Sequence, residues 1–170
     1  MKSIVLIGYM GAGKSAIGRM LSSELKLRFV DLDRLIEKKE GTSISEMFKS
    51  KGEEYFRLVE NRILLELSLE KSPVILATGG GIVEKEENYE PLKKIGTVFF
   101  LHNDIDILWK RVGKDQRRPL SLDYDSFVER YNSRLEKYRK LADYEIECSG
   151  AELKENGRKI MEILNENSCN

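Results

Sequence analysis

Cysteine is nearly absent from this 170-residue chain: Cys148 and Cys169 are the two it has. Neither belongs to a CxxC pair or lies near a histidine at metal-ligand spacing, so both read as reduced thiols, not as a disulfide framework or a metal site. Histidine is scarcer still. His102 has no partner at catalytic or ligand spacing and reads as structural. An excess of one charge is also missing, since Lys+Arg 29 and Asp+Glu 29 cancel. No global field therefore draws the chain to nucleic acid or to an anionic membrane. No apolar stretch approaches the roughly 20 residues that span a bilayer. Met1-Lys2-Ser3 leads straight into a strand-like run too short for the core of a signal peptide. A cytoplasmic chain without nucleic-acid or membrane partners is expected. Repeats and low-complexity linkers are lacking, and no apolar stripe in the sequence demands a second copy. The expectation is one domain over residues 1–170, working as a monomer.

What is present is alternation. Short apolar or β-branched runs at Ser3–Ile7, Arg28–Asp31, Val74–Ala77, 97–101 and 144–148 are separated by long helical patterns. Ile17, Met20, Leu21 and Leu25 share one helical face; Phe56, Val59, Ile63, Leu64 and Leu67 share another. Near-continuous apolar strands between helices predict an α/β fold of three layers, with a five-stranded parallel sheet covered on both faces. Ser43-Ile44-Ser45-Glu46 has the form of a capping box, and Gly52 of a helix stop. Asp33 could cap a helix beginning at Arg34. A polar helix over 151–165 is predicted to close the chain.

The first strand runs into Gly8-Tyr9-Met10-Gly11-Ala12-Gly13-Lys14-Ser15, which matches G-x-x-x-x-G-K-[ST] throughout. Glycines let successive backbone N–H groups converge on phosphate oxygens where a Cβ would intrude. The following helix aims its N-terminal dipole at the same anion. Lys14 supplies a mobile cation for the β- and γ-phosphates, and Ser15 a hydroxyl for Mg²⁺. Nucleoside triphosphate binding follows; the acceptor does not.

Two further absences narrow the acceptor. The guanine-reading Asn-Lys-x-Asp of regulatory GTPases does not occur. The third strand ends in Thr78-Gly79-Gly80-Gly81, not in the acid that a motor or transporter ATPase carries there. The missing acid is expected in Phe29-Val30-Asp31-Leu32-Asp33, on a second strand placed close to the first. One carboxylate can hold Mg²⁺ through water and the other can orient or deprotonate an acceptor hydroxyl. Three glycines at a strand end lose entropy on folding and point to close approach of backbone and ligand. Arg57, Arg118 and Arg134 are candidates to grip carboxylate or phosphate, a pairing for which the guanidinium fork is suited.

Taken in order, GYMGAGKS, FVDLD, FR, TGGG, RRPL and a late R-x-x-x-Y resemble the signature of the shikimate kinase family, over roughly Ser3 to Tyr144. The resemblance implies a P-loop kinase with a mobile lid over about 113–123. It implies transfer of the ATP γ-phosphoryl group to the 3-hydroxyl of shikimate, within chorismate and aromatic amino acid biosynthesis. Gly11, Ala12, Gly13, Lys14, Ser15 and Ala16 would wrap the ATP phosphates, with Ser15 and Asp31 on Mg²⁺. Asp33 would bind the shikimate hydroxyls and act as base or orienter. Arg57 and Arg134 would hold the carboxylate, with Glu60 steadying Arg57. Gly79, Gly80 and Gly81 would meet the substrate through backbone, and Phe48 and Phe56 would wall its ring. Lys14 and Arg118, the latter on the lid, would neutralise the moving phosphoryl, and Arg111 would lie against adenine.

The chain departs from the family at three places. Ala16 stands where threonine is common, Ser121 where a second leucine is frequent, and the late motif lacks its usual proline, reading Arg134-Leu135-Glu136-Lys137-Tyr138. Arg130 and Arg139 are near enough to be alternatives to Arg134. Two other functions compete. A kinase of the same fold acting on gluconate is opposed by the D-x-D, F-R and TGGG set. A nucleotide-binding module without turnover would have no use for Asp33, Arg57 and the triplet together.

Overall fold

The computed structural model describes residues 2–113 and 123–168. Arg118, Cys169 and all of the expected lid except its two end residues fall outside them. Five strands, β1 (Ser3–Ile7), β2 (Arg28–Asp31), β3 (Val74–Ala77), β4 (Gly96–His102) and β5 (Tyr144–Glu147), form one sheet in the order β2-β3-β1-β4-β5. Every pairing is parallel. Seven α-helices are described: α1 (Lys14–Leu25), α2 (Leu32–Glu40), α3 (Ile44–Ser68), α4 (Tyr89–Ile95), α5 (Ile105–Gly113), α6 (Tyr124–Leu141) and α7 (Leu153–Ser168). Two single 3₁₀ turns, Ile82–Glu84 and Glu86–Asn88, join β3 to α4.

The layers follow from burial. All five residues of β1 are buried, so neither face of the central strand meets water. Helix α1 packs on β1, β2, β3 and α7; helix α4 packs on β1, β4 and α3. Parallel strands need such cover because each crossover lays a helix on the sheet. The core is built from β1, β3 and β4 with Ile17, Leu21, Ile63, Leu64 and Phe127 from the helices. Helix α3 leaves Leu58, Leu65 and Leu69 exposed along one side, an apolar stripe the sequence reading did not single out.

Three local expectations are refined. Strand β2 is not beside β1; β3 lies between them, as strand order depends on how the helices pack rather than on any one segment. Helix α2 is capped by Asp31, not Asp33. The chain turns helical immediately after β2, so Asp31 keeps extended backbone (φ −94°, ψ 114°) and accepts from the Arg34 N–H at 3.3 Å. Ser43 caps α3 as expected, accepting from the Glu46 N–H at 3.1 Å. Gly52, at φ 82° and ψ 170°, breaks α3 into two segments that meet at a kink.

Candidate active site

The loop after β1 is a cradle of backbone donors. Gly11 and Gly13 hold φ of 84° and 88°, a left-handed region that side chains disfavour. Gly13 starts α1 with no side-chain cap, so the first N–H groups of α1 are left for an anion. Lys14 Nζ donates to the Gly8 and Tyr9 carbonyls at 2.6 and 2.9 Å, folding back over its own loop. The loop is braced by Tyr9, which is wholly buried and donates its hydroxyl to the Phe127 carbonyl of α6 at 3.0 Å.

Beyond the loop lies a cavity of about 490 Å³. Its walls carry Gly11 through Ala16, then Asp31 and Asp33, then Thr78, Gly79 and Gly80, with Arg111 at one side. Ser15 Oγ, in the first turn of α1, donates to Asp31 Oδ2 at 2.8 Å, so the two expected metal residues meet although β1, which leads to α1, is not beside β2. Arg111 Nη1 donates to the Gly11 carbonyl at 3.1 Å and to Asn103 Oδ1 at 3.2 Å, which anchors it at the loop. Asp31 does the capping, and Asp33, in the first turn of α2, lies against the glycine triplet. A Cβ on Gly79 would stand 2.9 Å from Asp33 Oδ1.

The triplet collects the remaining residues. A Cβ on Gly81 would stand 2.3 Å from Arg57 Nη2, and one on Gly80 would stand 3.8 Å from Arg134 Nη1. None of the three glycines has positive φ. Gly79 and Gly81 are small because side chains press on them, a reason the sequence reading did not supply, whereas a Cβ on Gly80 would make only ordinary contacts. Arg57 is 8% exposed and donates through Nη1 to both Glu60 oxygens, at 3.1 and 2.9 Å, and through Nη2 to Glu53 at 3.2 Å. Burial opposes its charge, yet the two glutamates outweigh that and raise its pKa further. Burial pushes Glu60 up, against the pull of Arg57. The guanidinium also lies over the Phe56 ring, 5.0 Å from its centre, and Phe48 packs on Phe56 at 5.1 Å. The phenylalanines therefore reach the site as a support for Arg57; neither borders the cavity.

Arg134 is the late arginine at the triplet. It pairs through Nε with Glu84 and sits 5.8 Å from the centre of the Tyr9 ring. Arg139 is committed to Glu136 and Glu145, and Arg130 is exposed. Tyr138, one turn beyond Arg134, donates to the Gly80 carbonyl at 2.5 Å. Three contributors escaped sequence reading: Glu53, Glu84 and Asn88. Glu53 at i−4 from Arg57 had a helical-spacing signal; the other two had none short of the fold. Tyr138 closes the late R-x-x-x-Y motif, and the fold adds the bond from its hydroxyl to Gly80.

A phosphate loop and two carboxylates around one cavity, with two arginines that do not line it but meet the glycine triplet at its edge, on a five-stranded parallel sheet, define an ATP-dependent small-molecule kinase of the P-loop class. The comparisons name it more closely. The shikimate kinase family model matches residues 10–165. A shikimate kinase of Bacillus anthracis is 41% identical over 168 residues, 98% of this chain and 100% of the relative. One from Francisella tularensis subsp. novicida is 40% identical, over 96% of this chain and 94% of its own length. Among solved structures, shikimate kinase from Acinetobacter baumannii in complex with shikimate superposes with a TM-score of 0.90 at 34% identity, covering 98% of this chain and 94% of that one. The chain belongs to the shikimate kinase family.

Proposed function

We propose that these residues share out the shikimate kinase reaction as follows, with the γ-phosphoryl group of ATP passing to the 3-hydroxyl of shikimate to leave ADP and shikimate 3-phosphate. The observation that carries the assignment is the convergence of Asp33, Arg57 and Arg134 on the triplet at the end of β3, beside the phosphate loop. Backbone N–H groups of Gly11 to Ala16 take the phosphates. Lys14 exchanges two loop carbonyls for phosphate oxygens, and Arg111 lies against the adenine side. Arg57 and Arg134 fix the shikimate carboxylate, the Gly80 N–H steadies the ring, and Asp33 orients the 3-hydroxyl and accepts its proton. Arg57 Nε is buried without a hydrogen-bond partner among the described residues. An orphaned buried donor is costly, and a substrate carboxylate would satisfy it.

Ser15 and Asp31 fit Mg²⁺, since two hard oxygens 2.8 Å apart border the phosphate cradle. When bound, the ion would neutralise charge on the transferring phosphoryl. Mg²⁺ usually takes one or two protein oxygens with phosphates and water completing the shell, which this pair matches. Arg118 is proposed to add positive charge from the lid over 113–123, which would close against water. No described helix is long and apolar enough to cross a membrane. We assign the chain to the cytoplasm as a single-domain monomer. Light scattering would measure the state, with the exposed leucines of α3 as the face for a second copy.

A coupled ADP-release assay with ATP and Mg²⁺ tests the assignment, run with shikimate, with gluconate and without acceptor. Release that requires shikimate is the expected result. Release with gluconate or with no acceptor would overturn the roles of Asp33, Arg57 and Arg134 and leave only the phosphate loop.

A further inference from the structure

Asn88 lies far from the phosphate loop in sequence and does not border the cavity, yet it is wholly buried. Its amide has a complete set of partners. Nδ2 donates to Glu60 Oε2 at 3.3 Å and to the Ile82 carbonyl at 3.1 Å, and Oδ1 accepts from Asn61 Nδ2 at 3.0 Å. Those partners determine which end is which. Turned over, Oδ1 would face a carboxylate and a carbonyl, neither able to donate, while Nδ2 would face another donor.

The two donated bonds go to different elements. Glu60 is on α3 and is the main counter-charge of Arg57. Ile82 opens the 3₁₀ turn directly after Gly81, and Gly81 is the residue on which the Arg57 guanidinium rests. A closed circuit results: Arg57 to Glu60, Glu60 to Asn88, Asn88 to the Ile82 carbonyl, and along the chain through Gly81 back under Arg57. A buried ion pair is stable only where its spare lone pairs are met, and Asn88 meets one of those that Arg57 leaves on Glu60.

We infer that Asn88 is a positioning residue for the acceptor half of the site, holding the Arg57–Glu60 pair and the glycine triplet in one fixed relation. It touches no substrate. Its effect reaches the reaction through the aim of Arg57, so the inference rests on Arg57 holding the acceptor carboxylate.

The test uses Asn88→Asp, which keeps the shape but replaces the donor to Glu60 with a second acid. Steady-state kinetics with each substrate varied, together with Tm, are measured beside Arg57→Ala and Leu92→Ala. Leu92 is a fully buried residue of α4 outside the circuit. It reports what a loss of packing alone does. The expected result is a shikimate KM raised roughly tenfold, the scale of one charge-assisted hydrogen bond, with the ATP KM unchanged. Leu92→Ala should lower Tm with neither KM moved. The inference fails if Asn88→Asp leaves shikimate KM where Leu92→Ala leaves it, or raises both KM values alike. If Arg57→Ala also leaves shikimate KM unmoved, the carboxylate assignment has failed as well; if it raises it, only the role of Asn88 has failed. Should Asn88→Asp not fold, Asn61→Ala removes the bond to Asn88 Oδ1 from a half-buried position. It is expected to raise shikimate KM alone by a smaller factor, and an unchanged value there overturns the inference.

Discussion

Alanine placed at each glycine of the triplet should do three different things, although the three substitutions look alike on paper. At Gly81 the backbone has φ −87°, which alanine adopts freely, so the whole effect falls on Arg57. The new Cβ would lie 2.3 Å from Nη2 and 3.0 Å from Cζ and Nη1, whereas ordinary contact begins near 3.4 Å. The guanidinium must withdraw by about 1 Å, a misplacement able to cost up to about a hundredfold in a positioned group. It is not free to swing aside, because Glu60, Glu53 and the Phe56 ring hold it on three sides. A lost hydrogen bond to a charged group is worth about 1.5–3 kcal/mol, which is about tenfold to a hundred-and-fiftyfold in affinity. Gly81→Ala should therefore raise shikimate KM within that range and leave the ATP KM unchanged. At Gly79 the Cβ would meet Asp33 Oδ1 at 2.9 Å, so the main loss should be in kcat. At Gly80 the nearest heavy atom is the Met10 nitrogen at 3.4 Å, and the steric effect should be the smallest of the three. Coupled steady-state kinetics with either substrate varied, and calorimetric Tm for each variant, read all of this. Equal damage from all three, or a rise in both KM values at Gly81, would refute the reasoning. The triplet would then be needed for loop flexibility and not as room for two side chains.

Lys14→Met should abolish phosphoryl transfer with Tm little changed, since the carbonyls of Gly8 and Tyr9 that Lys14 Nζ meets belong to its own loop; normal turnover would remove it from the phosphate site. Asp33→Asn should lower kcat by about 10²–10⁴-fold, the usual share of a general base, with ATP binding by calorimetry unaltered; a matching loss of ATP affinity would assign Asp33 to the nucleotide. Glu84→Gln probes acid stability. Burial opposes the Glu84 charge, but Arg134 and Lys137 outweigh it and hold the carboxyl below its ordinary 4.5. The pairing therefore stabilises the fold at neutral pH and is lost as pH falls below 4.5 through the folded value. Chemical denaturation from pH 7 to pH 3 should show a shallower acid-side decline in the variant, and parallel curves would deny Glu84 that part.

The sheet was legible because parallel strands buried on both faces are nearly continuous apolar runs, and three of the five matched their observed bounds. The phosphate loop was legible because its chemistry is packed into eight consecutive residues whose local backbone makes the site. Gly52 and Ser43 were legible as helix punctuation for the same local reason. Asp33 was legible as one of two acids at the end of the second strand, though a D-x-D pair is a weak signal, while Arg57 and Arg134 stood out through family resemblance because isolated arginines carry little signal of their own.

What the sequence determined by itself is thus everything set by neighbours along the chain: the α/β alternation, the anion cradle, the caps and breaks. Only the tertiary structure decided that β3 intervenes between β1 and β2 while Ser15 and Asp31 still meet. It also gave Asp31 the capping role, set Asp33 beside Gly79 and Arg134 beside Gly80, and closed Asn88 around Glu60 and Ile82. These are contacts between residues far apart along the chain, as Tyr138 and Gly80 are, at fifty-eight positions. Their geometry depends on how helices α2, α3 and α6 seat on the sheet, and no local pattern of residues encodes that distance.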